Sequence, residues 1–246
     1  MDFDFPYLYL PETESTNQLA IDMISKTNPA DGFMLITDYQ TAGRGQYGRI
    51  WQSKAGKNLL VSFIFYPKNI PINKLFRLNL AASLAIIRCL KTFDIAELSI
   101  KWPNDIYIQN QKIAGILIQN ILKASEIQAA VIGIGLNVNQ EYFSTELSAS
   151  SLQNILGKEM DIKKIASDIR AQLLTLLKTR STEDWSLLLA EYNEVLYKKN
   201  KKHVFNTAAI NPMPASIQYV TEDGKIHLLT ENQEIISFTF GELNYK

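Results

Sequence analysis

The sequence predicts an α/β (α+β) fold in which a large first domain, residues 1–198, precedes a small β-barrel-like domain, residues 199–246. Helical and β-rich segments are interspersed up to about residue 198, as in a layered domain with one core. A polar, basic run, YKKNKKH, then forms a boundary at residues 197–203. After it come only short alternating segments, roughly 45 residues that are too few to be stable without docking on the first domain.

Caps and periodicity predict the elements of the first domain. Ser15 and Gln18 have capping-box spacing, so the first helix opens there, and residues 28–32, NPADG, stop it. Two strands, residues 33–39 and 58–66, flank a glycine-rich loop. The remaining predicted elements are an apolar helix over about residues 72–93, strands near 97–101, 105–109, 112–119 and 127–138 with a turn at Asn110-Gln111, and helices over about 161–180 and 183–198.

The small domain is predicted from alternating apolar residues and one turn. Residues 215–220, 226–230 and 234–240 alternate in the manner of short strands. The turn lies at residues 222–224, EDG.

Composition restricts the classes of function. Lys+Arg and Asp+Glu both total 25, so no overall charge attracts nucleic acid or a membrane surface, and neither is expected as a partner. No apolar run is long enough to span a bilayer. The lone Cys89 excludes an internal disulfide, which suits the cytoplasm, and its apolar helical setting favours a buried structural thiol over a nucleophile. The two histidines are too few for a metal cluster.

The most informative segment is residues 40–51, QTAGRGQYGRIW. Its three glycines let the backbone approach a ligand closely, and two arginines supply forks that suit carboxylate and phosphate oxygens. The glycine spacing also fits a dinucleotide fingerprint, but no helix follows and Lys68 stands where an acidic residue is needed. A kinase glycine-rich loop is excluded because the HRD and DFG motifs are absent. A cationic loop that closes over an anion is predicted, with a plain surface hairpin as the alternative.

Two further segments carry polar groups at strand ends. In residues 101–105, KWPND, the proline fixes a bend that presents Lys101, Asn104 and Asp105, although a simple β-corner would use the same residues. Lys112 opens the next strand and is either a solvated edge residue or a cation aimed into a pocket, with Gly115 leaving a gap beside it.

A third segment, residues 131–139, is an apolar strand with two glycines on one face. Gly133 and Gly135 weaken the strand, which favours a flat group lying against them, although a barrel-like bend remains the alternative. Asn137 is placed to form hydrogen bonds near the end of that strand.

Together with residues 14–17, ESTN, these segments resemble the biotin–protein ligases, in family order and across about half of the chain. The resemblance implies a class II aminoacyl-tRNA synthetase-like catalytic domain followed by an SH3-like barrel. It also implies a two-step reaction in which biotin and ATP, with Mg²⁺, form biotinyl-5′-AMP and pyrophosphate. A lysine of a biotin carboxyl carrier protein then takes the biotinyl group and releases AMP.

The resemblance also implies the roles of individual residues. The catalytic residues are expected to be Lys112, Arg44 and Asp105, with Lys112 bridging the carboxylate and the α-phosphate. Asp105 either orients Lys101 or Lys112 or holds Mg²⁺. The expected biotin-binding residues are Ser15, Thr16, Asn17, Gln40, Gly43, Arg44, Gly45, Gln46, Lys112, Gly115, Gly133 and Gly135. The expected ATP-binding residues are Arg49, Trp51, Lys101, Asn104, Lys112 and Asn137.

The sequence departs from the family pattern at two places. Gln46 stands where some members have an arginine, and the C-terminal segment lacks the glycine-rich turn that is often present. The first motif lies within about 15 residues of Met1, so no helix-turn-helix and no operator binding are expected. A monomer and a homodimer are both compatible with the family.

Three other functions need consideration. A lipoate–protein ligase would use the same fold and chemistry, and a non-enzymatic biotin-binding module would bind without releasing pyrophosphate. An octanoyltransferase would need a placed nucleophilic cysteine, which Cys89 does not resemble.

Overall fold

The computed structural model describes residues 3–67, 70–123, 126–177, 181–207 and 212–245, without the side chain of Thr182. Within these residues the chain forms a seven-stranded sheet followed by a five-stranded sheet. The strands of the large sheet are β1 (Tyr7–Thr13), β2 (Phe33–Gln40), β3 (Leu59–Phe65), β4 (Leu98–Lys101), β5 (Asp105–Ile108), β6 (Gln111–Lys123) and β7 (Glu126–Leu136). The helices are α1 (Thr16–Thr27), α2 (Phe76–Lys91), α3 (Leu152–Leu156), α4 (Ile162–Leu177) and α5 (Thr182–Glu194). The small sheet contains β8 (Lys202–Thr207), β9 (Met213–Val220), β10 (Ile226–Thr230), β11 (Ile235–Phe238) and β12 (Leu243–Tyr245).

The large sheet has the strand order β1-β2-β3-β7-β6-β5-β4, with β1 and β2 parallel and the other neighbours antiparallel. Side chains alternate between the two faces of such a sheet. On one face, α1 covers Leu35, Ile64 and Val131, which form a small apolar cluster with residues of the helix. The opposite face, which includes Phe63 and Ile132, belongs to the main core together with residues of α2 and α4. Because α1 covers only part of its face, the rest is available for a site.

Local signals explain where α1 begins and ends. Ser15 is the N-cap, and its side chain accepts a hydrogen bond from the backbone N–H of Gln18, as the capping spacing predicts. The reciprocal half of the box is not formed, and the Gln18 amide nitrogen donates to Asp22 at 3.1 Å. Asn28 ends the helix in a left-handed conformation.

Several boundaries differ from the sequence prediction. The helix predicted from residue 72 begins as a separate 3₁₀ turn, Ile72–Lys74, after Pro71, and α2 starts only at Phe76. The hairpin turn lies at residues 109–110, one residue earlier than predicted, because Gln109 takes the left-handed conformation. The helix predicted to reach residue 198 ends at Glu194 because the following residues pair alongside Ile100 of β4.

Four elements were not predicted. They are β1, α3, β8 and β12. β1 contains Pro11, which an edge strand tolerates, and β8 lies in and just beyond the basic run that the sequence suggested was a connector. The end of the predicted helix over residues 161–180 falls at residues 178–180, outside the described residues.

The small sheet docks on the first domain through the turn between β9 and β10. Glu222 accepts hydrogen bonds from Lys74 at 2.7 Å and from the buried Arg77. The indole N–H of Trp102 donates to the carbonyl oxygen of Gly224 at 3.0 Å. A Cβ at Gly224 would lie 3.0 Å from the Phe76 ring, and φ there is +87°, so glycine is required at this contact.

Replacing Glu222 by glutamine is expected to lower the free energy of unfolding by about 2 kcal/mol at neutral pH, because the buried Arg77 loses its counter-ion. Burial raises the pKa of Glu222, but hydrogen bonds from Lys74 and Arg77 outweigh it and leave the pKa below its ordinary value of 4.5. The stabilisation is therefore complete above about pH 4.5 and is lost as the pH falls through the folded-state pKa. Chemical denaturation from pH 7 into the acid range measures both effects.

The matched control is Glu231→Gln, which breaks an exposed ion pair of 3.6 Å with Lys202 and should change stability by less than about 0.5 kcal/mol. Equal effects of the two variants would contradict the docking role of Glu222.

Candidate functional site

A cavity of about 700 Å³ opens on the same face of the large sheet as α1, in the part of that face that the helix leaves uncovered. This volume is typical of sites for small molecules. All the residues expected from the sequence to form the site, except Gly43, line it; they are Ser15, Thr16, Asn17, Gln40, Arg44, Gly45, Gln46, Arg49, Trp51, Lys101, Asn104, Asp105, Lys112, Gly115, Gly133, Gly135 and Asn137. Gly43 lies instead at the base of the loop, where its carbonyl oxygen accepts from the Trp51 N–H at 3.0 Å.

Strand register builds the floor of the cavity. Asp105 pairs with Gly115 across β5 and β6, and Gly115 pairs with Gly135 across β6 and β7. Residues directly opposite in neighbouring strands point to the same face, so the carboxylate stands at the end of a row of glycines. The position of the Asp105 carboxylate beside the gap left by the glycines therefore depends on how the strands pair. No single segment of the sequence shows it.

Protein side chains lie against these glycines. A Cβ at Gly133 would lie 2.2 Å from Oδ1 of Asn17, and one at Gly135 would lie 2.5 Å from the indole of Trp51. The sequence predicts a flat ligand on this strand. In the structure, Asn17 and Trp51 occupy the positions directly above the two glycines.

A buried polar network connects α1 to the sheet. Gln40 Oε1 accepts from the backbone N–H of Thr16 at 2.8 Å. The hydroxyl oxygen of Ser62 lies 2.7 Å from Oγ1 of Thr16 and 2.6 Å from Oδ1 of Asn17. Sequence reasoning missed Ser62, although a serine in the otherwise apolar strand LLVSFIF was an available signal.

Replacing Ser62 by alanine is expected to lower the free energy of unfolding by about 1–3 kcal/mol, because the buried Asn17 Oδ1 loses a hydrogen-bond partner. Ser83→Ala is the matched control. Ser83 is equally buried, and its hydroxyl has no partner among the described residues, so its removal should be neutral. Thermal or chemical denaturation compares the two. A similar cost for both variants would mean that the network contributes no specific stability.

Lys112 and Asp105 form an ion pair at the edge of the glycine row. Their Nζ and Oδ1 atoms are 2.6 Å apart, and both side chains are only partly exposed. Lys112 Nζ also lies 5.7 Å from the centre of the Trp51 ring. Of the alternatives left open for Asp105, this contact favours the orientation of Lys112.

Lys101 occupies a different environment in the same cavity. Its ammonium lies 5.0 Å from the centre of the Tyr107 ring and 4.5 Å from that of Tyr245. Burial lowers the pKa of Lys101, and the opposing attraction of Asp105 is smaller. The described wall of the cavity thus carries four cations, Arg44, Arg49, Lys101 and Lys112, against two carboxylates, Asp105 and Glu146, and is suited to an anion.

The glycine-rich loop lies between β2 and β3, as predicted, and folds back on itself as a small hairpin. The Gly45 N–H donates to the carbonyl oxygen of Arg49 at 2.7 Å, and Arg44 pairs with Ile50. Tyr47 takes a left-handed conformation, with φ of +55°, at its tip. Tyr47 and Ile50 are 69% and 76% exposed. Two exposed apolar side chains beside flexible glycines are typical of a segment that moves on ligand binding.

Two parts of the wall were absent from the sequence prediction. One is the segment between Phe143 and Ala149, and the backbone N–H of Lys112 donates to the carbonyl oxygen of its Ser148 at 2.8 Å. The amide of Asn137 supports this segment by donating to Ser150 at 3.0 Å. Residues 241–245 of the small domain form another wall. Neither segment has a distinctive motif, so only the tertiary fold reveals them.

Cys89 takes no part in the site. It is buried in α2, as predicted, and burial raises the pKa of its thiol to about 12.

Across the described residues no group of three or more His, Cys, Asp or Glu side chains is arranged to hold a metal ion. Nor does any described helix combine the length and apolarity needed to cross a membrane.

The fold and the site define an α/β protein with a second, smaller sheet and a cationic cavity beneath a glycine-rich loop that is suited to an anionic ligand. The chain belongs to the Biotin/lipoate A/B protein ligase family, whose sequence profile matches residues 9–137. This match covers all the segments that resemble the biotin–protein ligases: residues 14–17, the glycine-rich loop, Lys101 to Asp105, Lys112 with the strand that follows it, and the Gly133–Gly135 strand.

Individual relatives support the same family. The chain is 34% identical over 159 residues to the bifunctional ligase/repressor BirA of Bacillus subtilis, covering 63% of this chain and 49% of that protein. It is 34% identical over 166 residues to the biotin–[acetyl-CoA-carboxylase] ligase of Mycobacterium tuberculosis, covering 66% and 60%. The chain thus spans about half the length of the Bacillus relatives that it matches.

Among solved structures, a biotin protein ligase from Aquifex aeolicus in complex with biotin and ATP has a TM-score of 0.81 and 26% identity, over 99% of both chains. The predicted fold class, a class II synthetase-like domain followed by an SH3-like barrel, is confirmed.

Proposed function

We propose that this chain is an ATP-dependent biotin–protein ligase that forms biotinyl-5′-AMP and transfers biotin to a lysine of a biotin carboxyl carrier protein. The observation that carries the proposal is the Lys112–Asp105 ion pair beside Gly115, facing a cationic cavity beneath the glycine-rich loop. The similarity to a ligase that was solved with biotin and ATP supports the choice of substrates.

The first step joins two anions, so the site must reduce their repulsion. A biotin carboxylate oxygen attacks the α-phosphorus of ATP, the bond from that phosphorus to the bridging oxygen breaks, and pyrophosphate leaves with the electron pair. We assign Lys112 to the carboxylate and the α-phosphate oxygens, with Asp105 holding its side chain in position. Arg44 and Arg49 add positive charge from the loop.

The second step consumes the mixed anhydride. The neutral amine of the carrier lysine attacks the acyl carbon, AMP leaves with the bonding electron pair, and the amine proton passes to solvent. Closure of the glycine-rich loop would shield the anhydride from water in the interval between the steps. Mg²⁺, when bound with the triphosphate, would offset part of its negative charge, and it would be held mainly by phosphate oxygens and water and not by a protein cage.

The remaining polar residues divide into two groups in this proposal. Ser15, Thr16 and Gln40 lie on the side of α1 and are assigned to the ureido ring of biotin. Asn104, Asn137 and Trp51 are assigned to the adenine side. Residues 1–198 would form the catalytic domain and residues 199–246 the barrel, and the single buried cysteine suits a reducing compartment such as the cytoplasm.

The decisive test is ATP–pyrophosphate exchange dependent on biotin, followed by transfer of labelled biotin to a carboxylase acceptor domain. Exchange with biotin and not with lipoate is the expected result. Exchange with lipoate alone would identify a lipoate ligase, and biotin binding without any exchange would identify a non-enzymatic module. Folded protein without binding or exchange would contradict the proposal.

A further inference from the structure

Lys101 is held between two aromatic rings that come from different sheets. Tyr107 belongs to β5 of the large sheet, and Tyr245 belongs to β12 of the small one. Both ring centres lie within 5.0 Å of the ammonium, a range in which cation–aromatic attraction is effective. The small domain therefore contributes one of the two aromatic rings that contact the Lys101 ammonium.

No carboxylate neutralises this lysine within ion-pair distance among the described residues. Asp105, which faces the same cavity, is paired with Lys112 at 2.6 Å. The nearest polar contact of Lys101 is the hydroxyl oxygen of Tyr107, at 3.4 Å from Nζ. Burial lowers the pKa of Lys101, so the ammonium lies in a partly desolvated position without a counter-ion of its own. A cation in this state attracts an anionic ligand strongly.

Tyr245 is itself fixed by aromatic packing. Its ring centre lies 5.2 Å from that of Phe205 and 6.2 Å from that of Tyr197. Tyr197 is anchored in turn, since its hydroxyl donates to the Asn110 side chain at 2.8 Å. The hydroxyl of Tyr245 is buried and has no hydrogen-bond partner among the described residues. The ring can therefore hold its position against Lys101 without help from its hydroxyl.

We infer that Tyr245 is a positioning residue for the nucleoside triphosphate, because its ring restricts the Lys101 ammonium to the place where it meets the phosphates. The inference rests on the proposed function and deepens it, since it names the residue that positions one cation of the nucleotide site. Tyr245 acts through Lys101 and is not assigned a contact with the reacting atoms.

The test compares Tyr245→Leu and Tyr245→Phe with the wild-type protein in biotin-dependent pyrophosphate exchange. Leucine removes the aromatic face, and the KM for ATP should rise roughly tenfold, the effect of losing one desolvated cation–aromatic contact, while the KM for biotin stays unchanged. Phenylalanine keeps the face and should behave as wild type. Tyr219→Leu is the matched control, because Tyr219 lies on β9 of the same sheet, is partly exposed and does not line the cavity.

Each result supports or contradicts the inference. An unchanged KM for ATP in Tyr245→Leu would overturn it, and so would equal losses in Tyr245→Phe and Tyr245→Leu, which would assign the effect to the hydroxyl. Thermal denaturation verifies folding, and Tyr245→Met, with a side chain closer in length, replaces the leucine variant if that does not fold. A Lys101→Gln, Tyr245→Leu double variant should lose no more than Lys101→Gln alone.

Failure of the inference can be separated from failure of the proposed function. If the wild-type protein shows no exchange with biotin, the proposed function fails, and ATP binding by calorimetry in the absence of biotin still compares the Tyr245 variants. If the wild type exchanges and Tyr245→Leu matches it, only the inference fails.

Discussion

Replacing Lys112 by alanine is expected to lower the rate of biotin-dependent pyrophosphate exchange by roughly 10²–10³, the usual effect of removing one preorganised donor to a developing charge. In the structure its ammonium stands beside Gly115, with Asp105 only 2.6 Å away. Removing the ammonium leaves the Asp105 carboxylate without its counter-ion in a cavity suited to anions. Repulsion between this carboxylate and the anionic substrates then adds to the loss of their attraction to Lys112.

Lys164→Ala is the matched control for this prediction. Lys164 forms an ion pair of the same 2.6 Å length with Asp168, on the exposed surface of α4. Its removal should leave exchange unchanged and stability nearly so. Exchange within threefold of wild type in Lys112→Ala, with both proteins folded, would remove Lys112 from the reaction, and with it the mechanism proposed above.

Replacing Gly133 by alanine is expected to lower the free energy of unfolding by about 1–3 kcal/mol and to reduce the affinity for biotin. The new Cβ would lie 2.2 Å from Oδ1 of Asn17, which is buried and cannot withdraw easily. The Asn17 amide donates to the Leu117 carbonyl oxygen at 3.1 Å and to the Gln119 side chain at 2.9 Å. The clash therefore displaces α1 or the sheet. Chemical denaturation and calorimetric titration with biotin measure the two effects.

Gly135→Ala separates stability from binding. Its new Cβ would meet the Trp51 ring at 2.5 Å, but Trp51 follows the glycine-rich loop, and we expect its side chain to shift outward. A smaller cost in stability is expected than at Gly133, together with a clear loss of affinity for ATP, which Trp51 is proposed to contact. A larger loss of stability in Gly135→Ala than in Gly133→Ala would contradict this expectation. It would mean that Trp51 is held more firmly than Asn17.

The sequence was most informative where the residues that indicate a feature lie together in one short segment. The loop of three glycines and two arginines combines backbone freedom with charge, and the KWPND bend combines a backbone restricted by proline with charge. Each signal lies within a few residues, so local sequence alone predicts the place of both segments in the site. The cap at Ser15 was equally local.

Features that depend on register or docking could not be predicted. Ser62 comes to lie beside Asn17 only because β3 pairs with β7 and α1 packs across both. Tyr245 reaches Lys101 because the turn at Glu222 fixes the small sheet on the first domain. Such contacts join residues far apart in the sequence, and the local sequence of one partner does not indicate which residue the other partner will be.

The buried state of Cys89 has a practical consequence for observing the loop. A thiol with a pKa of about 12 inside α2 reacts slowly with maleimides at neutral pH, so a cysteine introduced at the surface becomes the preferred labelling position. Ile50→Cys places such a position on the loop at a side chain that is 76% exposed. A solvent-sensitive fluorophore attached there should report the opening and closing of the loop in real time, against a protein background that needs no further engineering.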